Sequence, residues 1–163
     1  MNRLTRIGMI AALAAVSGIA ASQGAVTKAA SQAEATKAIE ARHAIFEEIN
    51  ELNKPMAPMV RPNGPPVDTA LVATNAAKIA ELAKKIPAAY QVDTRGFTGK
   101  TRALDGIWNS MGEFQTKADA LATAATAAAT AAKSGDAAAT RTALQGIGRA
   151  CGSCHDPFRG PAQ

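Results

Sequence analysis

The sequence predicts an all-α protein, an antiparallel up-down-up-down four-helix bundle. Three observations predict it. Ala, the strongest helix former, is by far the commonest residue, and Phe, Trp and Tyr make up only 4% of the chain, a balance that favours helix over strand. Apolar residues recur three and four apart along four stretches, which is the period of a half-buried helix. Prolines and a Ser-Gly-Asp turn separate those stretches, where they stop one helix and start the next.

The first helix is expected from about Gln32 to Leu52. Ser31 is its N-cap, with Glu34 completing a capping box. Ile39, Phe46, Ile49 and Leu52 form the apolar stripe, widened by Ile45. Pro55, Pro58, Pro62, Pro65 and Pro66 then impose a loop. Asp68 caps a second helix that reaches Ile86 through Leu71, Ile79 and Leu82, and Pro87 ends it. A loop from Ala88 to Arg102 holds Tyr90 and Phe97. The third helix is expected from Ala103 to Lys133, led by Ile107, Met111, Phe114 and Leu121, with an Ala/Thr-rich second half. That second half fits either an exposed helix or one in close helix contact. Gly135 supplies the C′ stop and Asp136 the next N-cap. The fourth helix carries Leu144, Ile147, Cys151, Cys154 and Phe158 three or four apart, and Pro157 and Pro161 close it.

The chemistry is concentrated in Cys151-Gly152-Ser153-Cys154-His155. C-x-x-C-H is the attachment site of a c-type haem. Thiols three apart share one helix face, within reach of the two vinyl groups of one haem, and the next imidazole can reach the iron. These are the only two cysteines, which excludes a four-thiolate zinc site. A thioredoxin-like pair would need a βαβ pattern, and none is present.

The N-terminus has the layout of a secretory signal. Asn2, Arg3 and Arg6 form a positive region, Ile7 to Ala21 is apolar and uncharged, and small residues follow. Cleavage is expected between residues 22 and 25, so that 1–22 is the signal and 23–163 one bundle domain. The alternative is a membrane anchor, but the run is short for a span of about 20 apolar residues. Export places the protein in the periplasm, where c-type haem is attached. The net charge is +5, and losing Arg3 and Arg6 lowers it by two. With no Lys/Arg run and few aromatic residues, the charge gives no support to nucleic-acid binding. Apolar area in an Ala-rich core is thin, so a haem would supply part of it.

Cys151 to Arg159 reads C-G-S-C-H-D-P-F-R, at the end of an exported four-helix chain. It resembles cytochrome c′ and its class II relatives, whose C-terminal haem motif is followed by an aromatic residue and Arg. Arg42-x-x-x-Phe46 and Ile107-Trp108 followed by Phe114 extend the match. The resemblance implies one covalent haem c on Cys151 and Cys154, with His155 as axial ligand. It places Arg159 near the proximal face and Arg42 near a haem propionate, with Trp108 and Phe114 in the core or against the haem. Solvated surface charge is the plainer reading of both arginines. At the position of Phe46, five-coordinate members resemble one another in an apolar cap, usually Leu, whereas low-spin relatives have a ligating Met. A phenyl ring has no lone pair for iron, so Phe46 implies an open, apolar distal side.

Two roles follow. The first is binding of uncharged diatomics such as NO and CO on a five-coordinate iron, with no donor available to stabilise dioxygen. The second is electron transfer with an unidentified redox partner, by a six-coordinate iron whose sixth ligand is His43 or a methionine: Met56, Met59 or Met111. An enzyme acting on peroxide would need a distal acid–base pair, for which only the neighbours Arg42 and His43 offer a candidate. Many family members pair through their first two helices, so the resemblance admits a homodimer; the apolar pattern leaves monomer and dimer open.

Overall fold

The computed structural model describes residues 25–161. The expected secretory segment lies outside the described residues. Four long helices form the bundle: α1 (Gln32–Asn53), α2 (Thr69–Ala83), α5 (Met111–Lys133) and α6 (Ala137–Phe158). Two single-turn helices, α3 (Ile86–Ala89) and α4 (Gly106–Asn109), lie in the connection between α2 and α5, and a 3₁₀ turn (Ala57–Val60) lies in the proline-rich loop. One parallel pair of two-residue strands, β1 (Thr27–Lys28) and β2 (Val92–Asp93), ties the segment before α1 to that same connection.

The helix starts form as their caps dictate. Ser31 Oγ accepts from the Glu34 amide at 3.2 Å, while the Glu34 carboxylate accepts from Ala30 N rather than from Ser31 N, one residue upstream of a strict capping box. Asp68 accepts from Leu71 N, and Asp136 from Ala138 N and Ala139 N. Gly135 has φ +76°, the left-handed conformation that a glycine adopts without a Cβ penalty. In the proline-rich loop, a Cβ on Gly64 would clash with the Pro58 carbonyl oxygen.

Three boundaries differ from expectation. The second helix stops at Ala83, and Pro87 opens the next turn instead of closing the last one. Proline lacks an N–H and is preset for the first turn of a helix, where no partner is needed. The third helix is broken at Ser110 (φ −135°, ψ 50°), a residue type whose side chain competes for the backbone. Its short first part is held elsewhere by Trp108, whose indole N–H donates to Tyr90 O at 3.0 Å. Pro157 lies within the last turn of α6, which runs on to Phe158.

Packing is uneven around the bundle. α2 and α6 each pack along α5, α1 packs on α2, and α1 and α6 scarcely approach one another. The Ala-rich half of α5 is in close helix contact: Ala118, Ala122, Ala125, Ala128, Ala129 and Ala132 are all buried. Small side chains let these backbones come together. The gap between α1 and α6 is left to the larger residues at the other end of α5.

Candidate functional site

A cavity of about 420 Å³ fills that gap, within the range of roughly 300–1,000 Å³ usual for ligand sites. α6 contributes Ala150, Cys151, Cys154, His155 and Phe158, and α1 contributes Arg42, His43, Phe46 and Ile49. Phe114 and Leu121 of α5, Ile107 of α4 and Ile86 of α3 complete a largely apolar wall. The cysteines face it because they continue the buried stripe of Leu144 and Ile147 along α6.

Most of the residues picked out in the sequence meet here. Cys151, Cys154, His155, Arg42, Phe46, Phe114 and Arg159 all line the cavity. Phe46 is 36% exposed, its ring at the cavity mouth. Trp108 does not line the cavity; of its two expected places it takes the one in the core, packed against the buried cluster. It lies behind Tyr90, with ring centroids 6.1 Å apart, between the guanidinium groups of Arg42 and Arg95. Met56, Met59 and Met111 are also absent from the wall, whereas His43 is part of it. Met56 and Met59 are buried in the core instead.

Arg42 has an occupation that the sequence did not suggest. It is only 2% exposed. Nε donates to Ala89 O at 2.9 Å, Nη1 to Thr94 Oγ1 at 3.0 Å, and Nη2 to Val92 O. Its guanidinium lies 4.4 Å from the centre of the Tyr90 ring. Desolvation pulls its pKa down, against the favourable influence of Tyr90 and Asp93. Arg42 therefore locks the segment 89–94 onto α1.

Tyr90, expected only as part of a loop, lines the cavity at 7% exposure. It packs edge-on to Phe114, which packs edge-on to Phe158. Ile86-Pro87 was the available signal, since proline at a helix start carries Tyr90 to the end of a new turn. Arg102 and Lys117, also unremarked, add positive charge to the wall. Arg102 Nε donates to Gly160 O, and Gly160 N returns a bond to Arg102 O. An antiparallel bridge pairs Ala103 with Arg159, so the chain just after the Cys-His motif is fastened to the cavity floor.

Burial raises the pKa values of both Cys151 and Cys154. His155 is held below the ordinary imidazole value, by burial and then by repulsion from Arg159 and Arg102, and so is neutral, as a metal ligand must be. Arg159 Nη1 lies 3.0 Å from His155 Nδ1. A guanidinium only donates, so Nδ1 accepts and the ring proton sits on Nε2.

Asp93, in β2, accepts three bonds from the Arg95 side chain and one from its amide. Those side-chain bonds lower its pKa. An Asp depressed on folding stabilises the native state above its unfolded pKa of about 3.9, and the contribution disappears as pH falls through the lowered folded value. Asp93→Asn is therefore expected to flatten the acid limb of stability. Thermal melts of both proteins from pH 7 to pH 3 check it: the wild-type midpoint should fall more steeply.

The donor set and the apolar wall fit a c-type haem. Cys151 and Cys154 would supply the thioether sulfurs and His155 the axial nitrogen, and the cations on the wall suit a dicarboxylate. Among the described residues, no group of three or more His, Cys, Asp and Glu offers an alternative metal site, and no helix is long and apolar enough to cross a membrane.

A family model described as cytochrome c′ matches residues 37–159. Cytochrome c′ of Rhodopseudomonas palustris is 36% identical over 121 residues, spanning 74% of this chain and 80% of the relative. The solved structure of cytochrome c′ from that organism covers 78% of this chain and 99% of its own, with a TM-score of 0.69 at 36% identity. The nitric oxide complex of a mutant cytochrome c prime from Alcaligenes xylosoxidans covers 81% of this chain and 98% of its own, with a TM-score of 0.64 at 25% identity. The bundle is thus shared with these proteins: the chain belongs to the cytochrome c′ family, and its cofactor is a covalently attached haem c.

Proposed function

We propose that this protein is exported to the periplasm, where its haem iron, held by His155 alone, binds NO and CO and exchanges electrons with a redox partner. When bound, the haem supplies an iron with one coordination position for a small ligand. The observation that carries the reading is the α1 wall of the cavity, where Phe46 stands and no methionine does. A phenyl ring excludes water but cannot ligate. The nitric oxide complex of the Alcaligenes xylosoxidans relative supports the ligand class. Arg102 and Lys117 would attract the propionates, together with what donor capacity Arg42 retains beside its three backbone and threonine bonds. The positive segment and apolar run before residue 22 support export.

Absorption and electron paramagnetic resonance spectra of the matured protein test the coordination. A high-spin ferric signal, with a ferrous spectrum that shifts on adding CO, is expected. A low-spin spectrum indifferent to CO would favour the electron-carrier reading with His43, the one of the expected sixth ligands that stands on the wall. Phe46→Ala should raise the CO association rate about tenfold, corresponding to about 1.4 kcal/mol off the barrier. Stopped-flow or flash photolysis measures it, and an unchanged rate removes Phe46 from the entry path.

A further inference from the structure

We propose that Tyr90 is a hydrogen-bond donor to the small ligand on the iron, so that the site takes ligands with an anionic or polarised outer atom as well as neutral diatomics. The inference rests on the five-coordinate reading above and corrects the expectation of a wholly apolar distal side.

Tyr90 is 93% buried, from its 7% exposure. Its carbonyl accepts from Trp108, but its hydroxyl makes no hydrogen bond to any described residue. Among the described residues, no fully buried side-chain oxygen or nitrogen lacks a partner. The hydroxyl is therefore not sealed in the core; it opens to the cavity that Tyr90 lines. An unpaired phenol in an apolar enclosure is costly unless an occupant of the cavity accepts its proton. Position selects the occupant. Tyr90 caps α3, which packs on α1 and α5 and not appreciably on α6. The phenol thus enters the cavity from the side of α1 and α5, with the Arg42 guanidinium against its ring and Cys154 of α6 near enough to raise its pKa further. Its ring is fixed there by the Phe114 edge at 4.7 Å between centroids and by the Arg42 guanidinium. Burial raises its pKa to about 12, so the phenol keeps its proton across the working pH range.

The test compares matured holoprotein with Tyr90→Phe, which retains the ring and removes only the donor. Carbon monoxide and fluoride are the probes. In the variant the C–O stretching band should move to higher frequency, and fluoride affinity of the ferric protein should fall about tenfold, the worth of one hydrogen bond to a charged acceptor. The wild-type fluoride charge-transfer band should also shift in D₂O, and the variant band should not. A purely structural role for Tyr90 would move none of these. CO and fluoride binding that is identical in the two proteins would overturn the proposal and leave the five-coordinate reading standing. A shift in reduction potential alone, with both probes unmoved, would assign the hydroxyl to a propionate and also overturn it. A wild-type protein that binds neither probe would overturn both readings.

Discussion

Replacing Cys151 and Cys154 together by alanine is expected to yield a chain that carries no covalent haem and has no cooperative thermal transition. The two sulfurs are the only thiols in the chain, so no other residue can retain the cofactor through a thioether. The stability effect follows from the cavity. About 420 Å³ lined by Ile49, Ile86, Ile107, Phe114, Leu121 and Phe158 would be left without its occupant. At about 24 cal/mol per Å³ of residual cavity, that volume corresponds to about 10 kcal/mol. The figure is an upper bound, because the cavity opens to solvent and the walls can partly collapse. It is nonetheless comparable to the whole folding free energy of a domain this size, about 5–15 kcal/mol. The rest of the core cannot make up the difference, since the buried face of α5 is mostly alanine and each methyl contributes little area. The expected product is compact and helical with fluid packing. Mass spectrometry reads the missing haem, and near- and far-ultraviolet circular dichroism with a thermal scan read the state. Equal melting midpoints for the variant and the haem-loaded wild type would count against it.

Arg42→Ala should destabilise the matured protein by about 3 kcal/mol or more. Truncation leaves Ala89 O, Val92 O and Thr94 Oγ1 without their donors in a buried to half-buried region, and each buried group so stranded costs about 1–3 kcal/mol. It also removes the guanidinium from the faces of Tyr90 and Trp108, a contact of about 0.5–2 kcal/mol when desolvated. Arg42→Lys should recover only part of the loss, because one ammonium cannot address three acceptors spread over residues 89 to 94 as a planar fork does. Urea titrations of the three proteins give the comparison. A shift in midpoint no larger than for an exposed arginine such as Arg61 would refute the role.

These residues also show what a sequence discloses. Cys151, Cys154 and His155 are legible because their chemistry needs a fixed local spacing on one helix face, and local spacing survives any tertiary arrangement. The helix starts at Ser31, Asp68 and Asp136 are legible for the same reason: each cap is a bond to an amide two or three residues away. Arg42 is different. Its partners are 47 to 52 residues distant, and they are backbone carbonyls and a hydroxyl whose availability depends on α3 and β2 turning as they do. Nothing in a short window signals that. The same is true of Trp108, an apparent cofactor neighbour until the break at Ser110 sends α4 off the axis of α5. Pro87 was misread because proline marks both ends of helices, and only the residues after it decide which.

The alanine run of α5 has a mechanical meaning. Where small side chains face α2 and α6, the helices approach closely and have little slack. Where Phe114 and Leu121 take over, the cavity begins. The alanine-packed part of the bundle lies toward the Ser134–Asp136 turn, and the cavity lies at the end that carries the motif. A bulky planar cofactor then has its space ready at one end while alanine packing holds the other, and the bridge between Ala103 and Arg159 ties down the chain that follows the motif.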